Sequence, residues 1–297
     1  MSGGLDSQLA VRVLQNAGAE VEGVTFTTPF FGSANAEKAA AALGIRLHII
    51  DFFAEEIALI KNPPHGFGGA MNPCVDCHAT MIRRAGELMK ELGFDFVSTG
   101  EVRGQRPMSQ NAQALVTVEK MSGLVGRLVR PMSAKLLAPT LPELEGKLDR
   151  EKLLDISGRS RERQIRLAAE FGIVDYPSPA GGCKLTEEAY GRKLKDLMAH
   201  EGIDDRGLVE LLAIGRRFRL PGGSSVVLGR DAAENERLAR LSGGVLVTPP
   251  EGVPGPTAYI PKLVTKEDRA LAEGIVKAWS RGTSESDRAP YKVYQLV

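Results

Sequence analysis

Aromatic residues make up only 5% of the 297 positions, and the chain has three cysteines and no long apolar run. Scarce aromatics beside abundant alanine, glycine and leucine argue against a β-sandwich and suit an α/β protein. Three cysteines are too few to staple a small secreted fold. In a reducing compartment, a pair two residues apart suggests metal or redox chemistry instead. No stretch approaches ~18 unbroken apolar residues and no basic, apolar leader opens the sequence, so a soluble, cytoplasmic protein without a membrane partner is expected. An excess of either charge is also lacking, with 38 Lys and Arg against 37 Asp and Glu. No global field announces nucleic acid, and any basic surface must be local. Internal repeats and low-complexity tracts are absent as well. The length allows two domains with a sizeable core.

What the chain does have begins at once, in Met1-Ser2-Gly3-Gly4-Leu5-Asp6-Ser7. Adjacent glycines let a backbone approach an anion, the orphan N–H groups of a following helix point at it, and Ser2 and Ser7 can add hydroxyls. Asp6 repels phosphate unless a donor or a cation such as Mg²⁺ stands between. The alternative is a plain helix-capping turn. Helical spacing through Ala17, strands at Val21–Thr27 and Arg46–Phe52, and an alanine-rich helix from Ser33 to Gly44 give the alternation of a parallel sheet covered by helices. Such a loop normally hangs from a preceding strand. Only Met1 precedes Ser2, so either a first strand lies upstream, which is the expectation, or the sheet has lost an inner strand; restoring upstream residues that form an apolar strand should raise solubility and ligand affinity.

The Pro/Gly-rich run from Lys61 to Pro73 should deliver Cys74 and Cys77 to the start of a helix over Asp76–Leu92, where a helix N-terminus lowers thiol pKa values. A short strand, Phe94–Ser98, leads into Thr99-Gly100-Glu101 and the basic loop from Val102 to Gln110, in the position where parallel sheets bind ligands. Between Leu136 and Tyr176 the pattern is helical, with Arg159, Arg161, Arg163 and Arg166 either a solvated face or a nucleic-acid patch. Cys183 follows Ser178-Pro179-Ala180-Gly181-Gly182, before a helix that Thr186 would cap. Three cysteines in this arrangement leave open a zinc site, a persulfide relay, a three-thiolate [4Fe-4S] cluster, or small core residues. Beyond about Glu201, short strands (Ser224–Leu228, Val245–Thr248, Thr257–Ile260, Tyr291–Leu296) alternate with helices, indicating a smaller α+β domain. The expected division is 1–200 and 201–297.

The SGGLDS stretch resembles the signature loop of the N-type ATP pyrophosphatases, the PP-loop superfamily. NPCVDC with a late AGGC resembles its tRNA thiolation branch, the 2-thiouridine and 4-thiouridine synthases, and TGEVRGQRPMSQ is similar to a loop of the latter. The resemblance covers roughly residues 1–200 and implies a Rossmann-like parallel-sheet domain that binds ATP. No GxGxxG loop of a methyl-donor site accompanies it. The implied reaction is adenylation of a tRNA uridine carbonyl with release of pyrophosphate, followed by sulfur insertion from sulfide or a persulfide carrier protein. Carried over by position, Ser2, Gly3, Gly4, Asp6 and Ser7 bind pyrophosphate with Mg²⁺. Phe26 and Thr27 lie near adenine, and Gly100 and Glu101 near the nucleotide or target base. Cys74, Cys77 and Cys183 match cluster ligands, with Cys74, Cys183 and Asp6 as the catalytic set. A PP-loop ligase or sulfurtransferase acting on a small molecule, a persulfide relay without a cluster, and a non-enzymatic RNA-binding protein are the alternatives.

The C-terminal stretch VLGRDAAENERL with PGPTAYI resembles the RNA-binding domain of ribosome quality-control factors, the fibronectin-binding-protein-A-like family. That likeness implies phosphate contacts from Arg216, Arg217, Arg219 and Arg230. The plainer reading is an appendage that packs on the catalytic domain or forms a homodimer.

Overall fold

The computed structural model describes residues 1–106, 108–178, 182–262 and 264–296. Pro107, within the expected basic loop, and Pro179, Ala180 and Gly181, which precede Cys183, lie outside the described residues. The chain divides into two units, Met1–Lys184 and Leu185–Val297, so the cut falls ahead of the expected boundary at 200.

The first unit is a mixture of helices and short parallel strands. In order it contains α1 (Leu5–Asn16), β1 (Gly23–Thr27), α2 (Ala34–Leu43), β2 (Leu47–Asp51), α3 (Phe53–Lys61), α4 (Cys74–Leu92), β3 (Val97–Ser98), α5 (Ala112–Ser122), β4 (Leu128–Val129), α6 (Leu141–Leu144) and α7 (Glu162–Glu170). The strands β1 and β2 pair in parallel from Gly23 opposite Leu47 to Thr27 opposite Asp51. A second parallel pair, β3 with β4, is two residues long. Among the described residues the two pairs are separate small sheets, which is less than the continuous parallel sheet expected. The amine of Met1 donates to Val24 O of β1.

Helix α1 forms because Leu5, Leu9, Val13 and Leu14 recur on one face, and that face is buried against Val102, Val129, Met132, Leu153, Ile156 and Ala168. It therefore sits in the centre of the core, and its N-terminus is fixed with it. Helices α2 and α4 end at Gly44 and Gly93 in the left-handed region, as their positions after the apolar pattern suggest. Helix α4 starts at Cys74, two residues earlier than expected, so Cys74 and Cys77 lie in its first turn and not in a loop. The stretch 136–176 is less helical than its pattern implies. Only α6 and α7 form there, with one turn of 3-10 helix, Arg150–Lys152, between them.

The second unit contains α8 (Glu188–His200), α9 (Arg206–Glu210), β5 (Arg216–Arg219), β6 (Ser225–Leu228), α10 (Ala232–Ala239), β7 (Val245–Val247), β8 (Ala258–Ile260), α11 (Lys266–Ala278) and α12 (Glu285–Lys292). The antiparallel sheet runs in the order β5-β6-β8-β7. One face packs Phe218, Val226, Leu228 and Ile260 against Ile275 and Val276 of α11. The strand β5 was not expected because three of its four residues are arginines. The expected strand Tyr291–Leu296 is not formed: Ser284 and Asp287 make a capping box that nucleates α12, whose last two residues are Tyr291 and Lys292, and beyond a turn an isolated bridge joins Gln295 to Phe218. Glu187, not Thr186, is the N-cap of α8. No helix among the described residues is long and apolar enough to cross a membrane.

Candidate nucleotide and sulfur-transfer site

The loop Ser2–Gly4 turns the chain into α1 through Gly3, whose φ of +75° favours glycine. A Cβ there would stand 2.2 Å from Asn35 O at the start of α2. The glycine is thus required twice, by its backbone and by the close approach of α2. Ser7 Oγ donates to Gly4 O at 2.8 Å, and Gly4 N donates weakly to Ser2 Oγ at 3.4 Å. The hydroxyl proton of Ser7 therefore braces the loop instead of standing ready for a ligand. The N–H groups at the start of α1 have no intrahelical carbonyl to meet, which is the general property that draws anions to helix N-termini.

Gly100 closes one side of this loop. A Cβ on it would come within 2.8 Å of the carbonyl carbon and oxygen of Asp6 and of the Cα of Ser7, so the loop after β3 lies directly on the first turn of α1. From the same loop Gln105 Nε2 donates to Asp6 Oδ2 at 2.7 Å, and Gln164 Nε2 of α7 donates to Gln105 Oε1 at 3.2 Å. Asp6 Oδ1 is buried and has no hydrogen-bond partner among the described residues. Gln105 is the donor that the carboxylate needs at Oδ2, and Oδ1 is the oxygen that a cation could engage. Gln8 Nε2 ties Gly3 O at 2.9 Å to Asp175 O at 3.0 Å.

The carboxyl end of β1 borders the same region. Phe26 packs edge-on against Phe52, with centroids 5.3 Å apart, and Thr27 O accepts from Phe52 N. Lys184 N, next to Cys183, donates to Phe30 O in the turn between β1 and α2. Cys183 is thereby held at the turn that leads to Gly3's neighbour Asn35.

Around α4, Asn72 Nδ2 donates to Cys74 Sγ at 3.1 Å, and Cys77 Sγ donates to Glu56 Oε2 of α3 at 3.1 Å. Glu56 is 1% exposed, and burial, opposed by the Cys77 hydrogen bond and the His78 charge, pushes its carboxyl up to about 7. Burial likewise pushes the Cys77 thiol well up, with the charges of Glu56, Cys183 and Cys74 adding to it. This corrects the expected helix-terminus effect at Cys77, since desolvation and like charge outweigh the helix dipole there.

Glu101 links the two regions. His78 Nδ1 stands 3.5 Å from its Oε1, and Arg130 Nε donates to its Oε2 at 2.9 Å. Burial alone would raise the Glu101 carboxyl, but His78 and Arg130 hold it down at about 2. Arg130 is itself secured by Glu119 at 3.0 Å and by Leu115 O. Thus Ser2–Ser7, Gly100, Glu101 and the cysteine turn belong to one region, joined by Gln105, Gln164, His78, Glu56 and Arg130. Of those five, the sequence brings forward only His78, and only as a poor fourth zinc ligand because it adjoins Cys77. Gln105 could have been singled out, because it lies in a quoted motif. Glu56 gave no signal, since an acid in a helix's first turn reads as dipole compensation.

In the second unit, Arg217 is 1% exposed and its three guanidinium nitrogens lack hydrogen-bond partners among the described residues. Burial, with the neighbouring Arg219 charge and against Glu201 and Asp196, lowers it to about 10. Arg219 is held by Asp196 and Glu201, and Arg230 by Glu234. Of the four arginines expected at phosphates, Arg217 therefore faces the interior and two others are already paired.

Comparison with known proteins gives two independent likenesses. Residues 215–291 match the NFACT protein RNA binding domain. The chain is 37% identical over 112 residues, 34% of its length, to a tRNA-specific 2-thiouridylase MnmA of Sulfurimonas denitrificans, covering 32% of that protein. It is 28% identical over 218 residues, 66% of its length, to the protein so named in Xanthobacter autotrophicus, covering 53% of it. For Chloroflexus aggregans the figures are 31% over 169 residues, 47% of this chain and 45% of the relative. The chain thus spans about a third to a half of the length of these relatives. Its similarity is thus to proteins named tRNA-specific 2-thiouridylase over part of their length, and at residues 215–291 to the NFACT protein RNA binding domain.

Proposed function

We propose that the chain is an ATP-dependent tRNA uridine thiolase built on a Rossmann-like PP-loop domain. The observation that carries this reading is the packing of Gly100 on the backbone of Asp6 and Ser7, which joins the glycine loop to the loop of Glu101 and, through Glu101, to His78 beside Cys77. In this reading Ser2, Gly3, Gly4, Asp6 and Ser7 receive the pyrophosphate part of ATP at the N-terminus of α1. Phe26 and Thr27 border the adenine, and Gly100 and Glu101 stand by the nucleotide or the target base. The uridine carbonyl oxygen attacks the α-phosphorus, the bond to the β-phosphate's bridging oxygen breaks, and pyrophosphate leaves. Adenylation converts a poor leaving group into AMP, which a sulfur nucleophile then displaces.

Asp6 suits Mg²⁺, because one of its oxygens is buried without a partner while the other is fixed by Gln105. Bound there, the ion would offset charge on the departing pyrophosphate. A three-thiolate [4Fe-4S] cluster is a poorer fit. Among the described residues no three or more His, Cys, Asp or Glu side chains are grouped to hold a metal ion, and Cys77 is a buried thiol that donates to a carboxylate. The sulfur step is therefore assigned to thiols: Cys74 takes the outer sulfur of a donor protein's persulfide, whose thiol leaves, and Cys183 attacks the inner sulfur of the Cys74 persulfide, forming a Cys74–Cys183 disulfide and releasing the sulfur as the nucleophile that displaces AMP, after which a thiol reductant regenerates both cysteines. Incubation of the protein with tRNA, ATP, Mg²⁺ and a persulfide source should yield AMP, pyrophosphate and a thiouridine. Cys74→Ser and Cys183→Ser should each abolish thiouridine while leaving pyrophosphate release within about threefold of wild type. Thiolation that survives both substitutions contradicts the thiol assignment.

A further inference from the structure

The arginines of α7 and the stretch before it have no part in the nucleotide chemistry, yet they are built onto its rim. Gln164, on the inner face of α7, is fully buried and reaches Asp6 through Gln105. The opposite face carries Arg163 and Arg166, both exposed. Just upstream, Ser157 bridges to Arg103 in parallel register, and Gly158 N donates to Arg103 O at 2.8 Å. Gly104 lies in van der Waals contact with this segment: a Cβ on it would stand 3.5 Å from Gly158 N. The loop with Arg103 and Arg106 is therefore hydrogen-bonded to the segment with Arg159 and Arg161, which leads directly into α7 with Arg163 and Arg166.

The local charge is strong for a chain with net charge +1: residues 157–166 contain four arginines against one glutamate. Asp155 engages Arg163 at 2.7 Å, and Arg103 reaches Leu136 O. Glu162 and Glu170 are the acids on α7 itself. Among the described residues, Arg106, Arg159 and Arg166 pair with no carboxylate. Exposed arginines without partners contribute little to folding stability, whereas a row of them is suited to phosphates regularly spaced along a nucleic-acid strand.

We infer that Arg103, Arg106, Arg159, Arg161, Arg163 and Arg166 form an RNA-backbone docking ridge that holds the substrate tRNA against the nucleotide loop. This inference rests on the tRNA reading above, and it adds a contact surface in the first unit to the NFACT-type domain at residues 215–291. Its test is tRNA binding by the full-length protein across a salt titration, comparing wild type with Arg106→Gln/Arg159→Gln/Arg166→Gln and with the triple lysine variant. The glutamine variant should lose roughly one unit of salt slope per arginine and bind tRNA at least about tenfold more weakly near 100 mM salt. Its melting temperature and ATP affinity should match wild type. The lysine variant, which keeps the charge, should retain most of the slope. Unchanged affinity and slope in the glutamine variant would overturn the ridge and leave RNA binding to the second unit. A wild-type protein that binds no tRNA would overturn the functional reading and the ridge together.

Discussion

At the scale of single residues, the site depends on two glycines whose missing side chains bring backbones together. Gly100→Ala adds a methyl group within 2.8 Å of the Asp6 and Ser7 backbone, where no flexible side chain can yield. The expected result is a cost of about 1–3 kcal/mol in stability and a drop of at least about tenfold in ATP-dependent pyrophosphate release, since the loop must shift. Urea unfolding and a pyrophosphate assay check the two parts separately. Glu56 provides a pH prediction. Its carboxyl is raised from the usual 4.5 to about 7, so the folded protein holds a proton that the unfolded chain has released. The stability this contributes is full below pH 4.5 and is lost as pH rises through 7. Compared with Glu56→Gln, wild type should lose up to about 3 kcal/mol between pH 4.5 and 8, read as a difference between the two urea-unfolding curves. Parallel curves would show that Glu56 ionises normally.

At the scale of elements, α1 and α4 position the chemistry by contrasting means. The apolar face of α1 lies in the core and fixes its N-terminus. The first turn of α4 is held by polar contacts, with His65 accommodated by Asp76 at 2.7 Å and Cys77 by Glu56. In the second unit, α8 is joined to β5 by Arg219, which donates to Glu201 Oε2 at 2.8 Å and bonds Asp196 through Nε at 3.1 Å. Arg219→Ala leaves both carboxylates without this partner and beside the buried Arg217. A loss of about 2–4 kcal/mol is expected, together with faster amide exchange in α8 measured by hydrogen-deuterium mass spectrometry. Exchange confined to other elements would show that α8 is held by its apolar side chains.

At the scale of the whole molecule, sequence patterns revealed most of the helices because their apolar periods and terminal glycines are local properties. The glycine loop and the Gly100-Glu101 pair were legible as motifs, and the structure packs Gly100 on the backbone of Asp6 and Ser7. Long-range contacts were not legible. Nothing local marks Gln164 as the support of Gln105, or Glu56 as the acceptor from Cys77, since each is chosen by a neighbour far away in the chain. The strand β5 was hidden because Arg217 points a charged side chain inward, against the usual alternation of polar and apolar residues. The helix α12 was hidden because Tyr291 reads as a strand former, whereas its hydroxyl packs over Gly274, where a Cβ would stand 2.3 Å away.

The central claim is that ATP is spent on a tRNA uridine. Its most direct test is the nucleoside profile, by mass spectrometry, of tRNA from cells lacking this gene and from the same cells carrying it again. The account predicts that one thiouridine disappears and returns with the wild-type gene, but not with the Cys183→Ser form. An unchanged set of thiouridines in the deletion strain would contradict it.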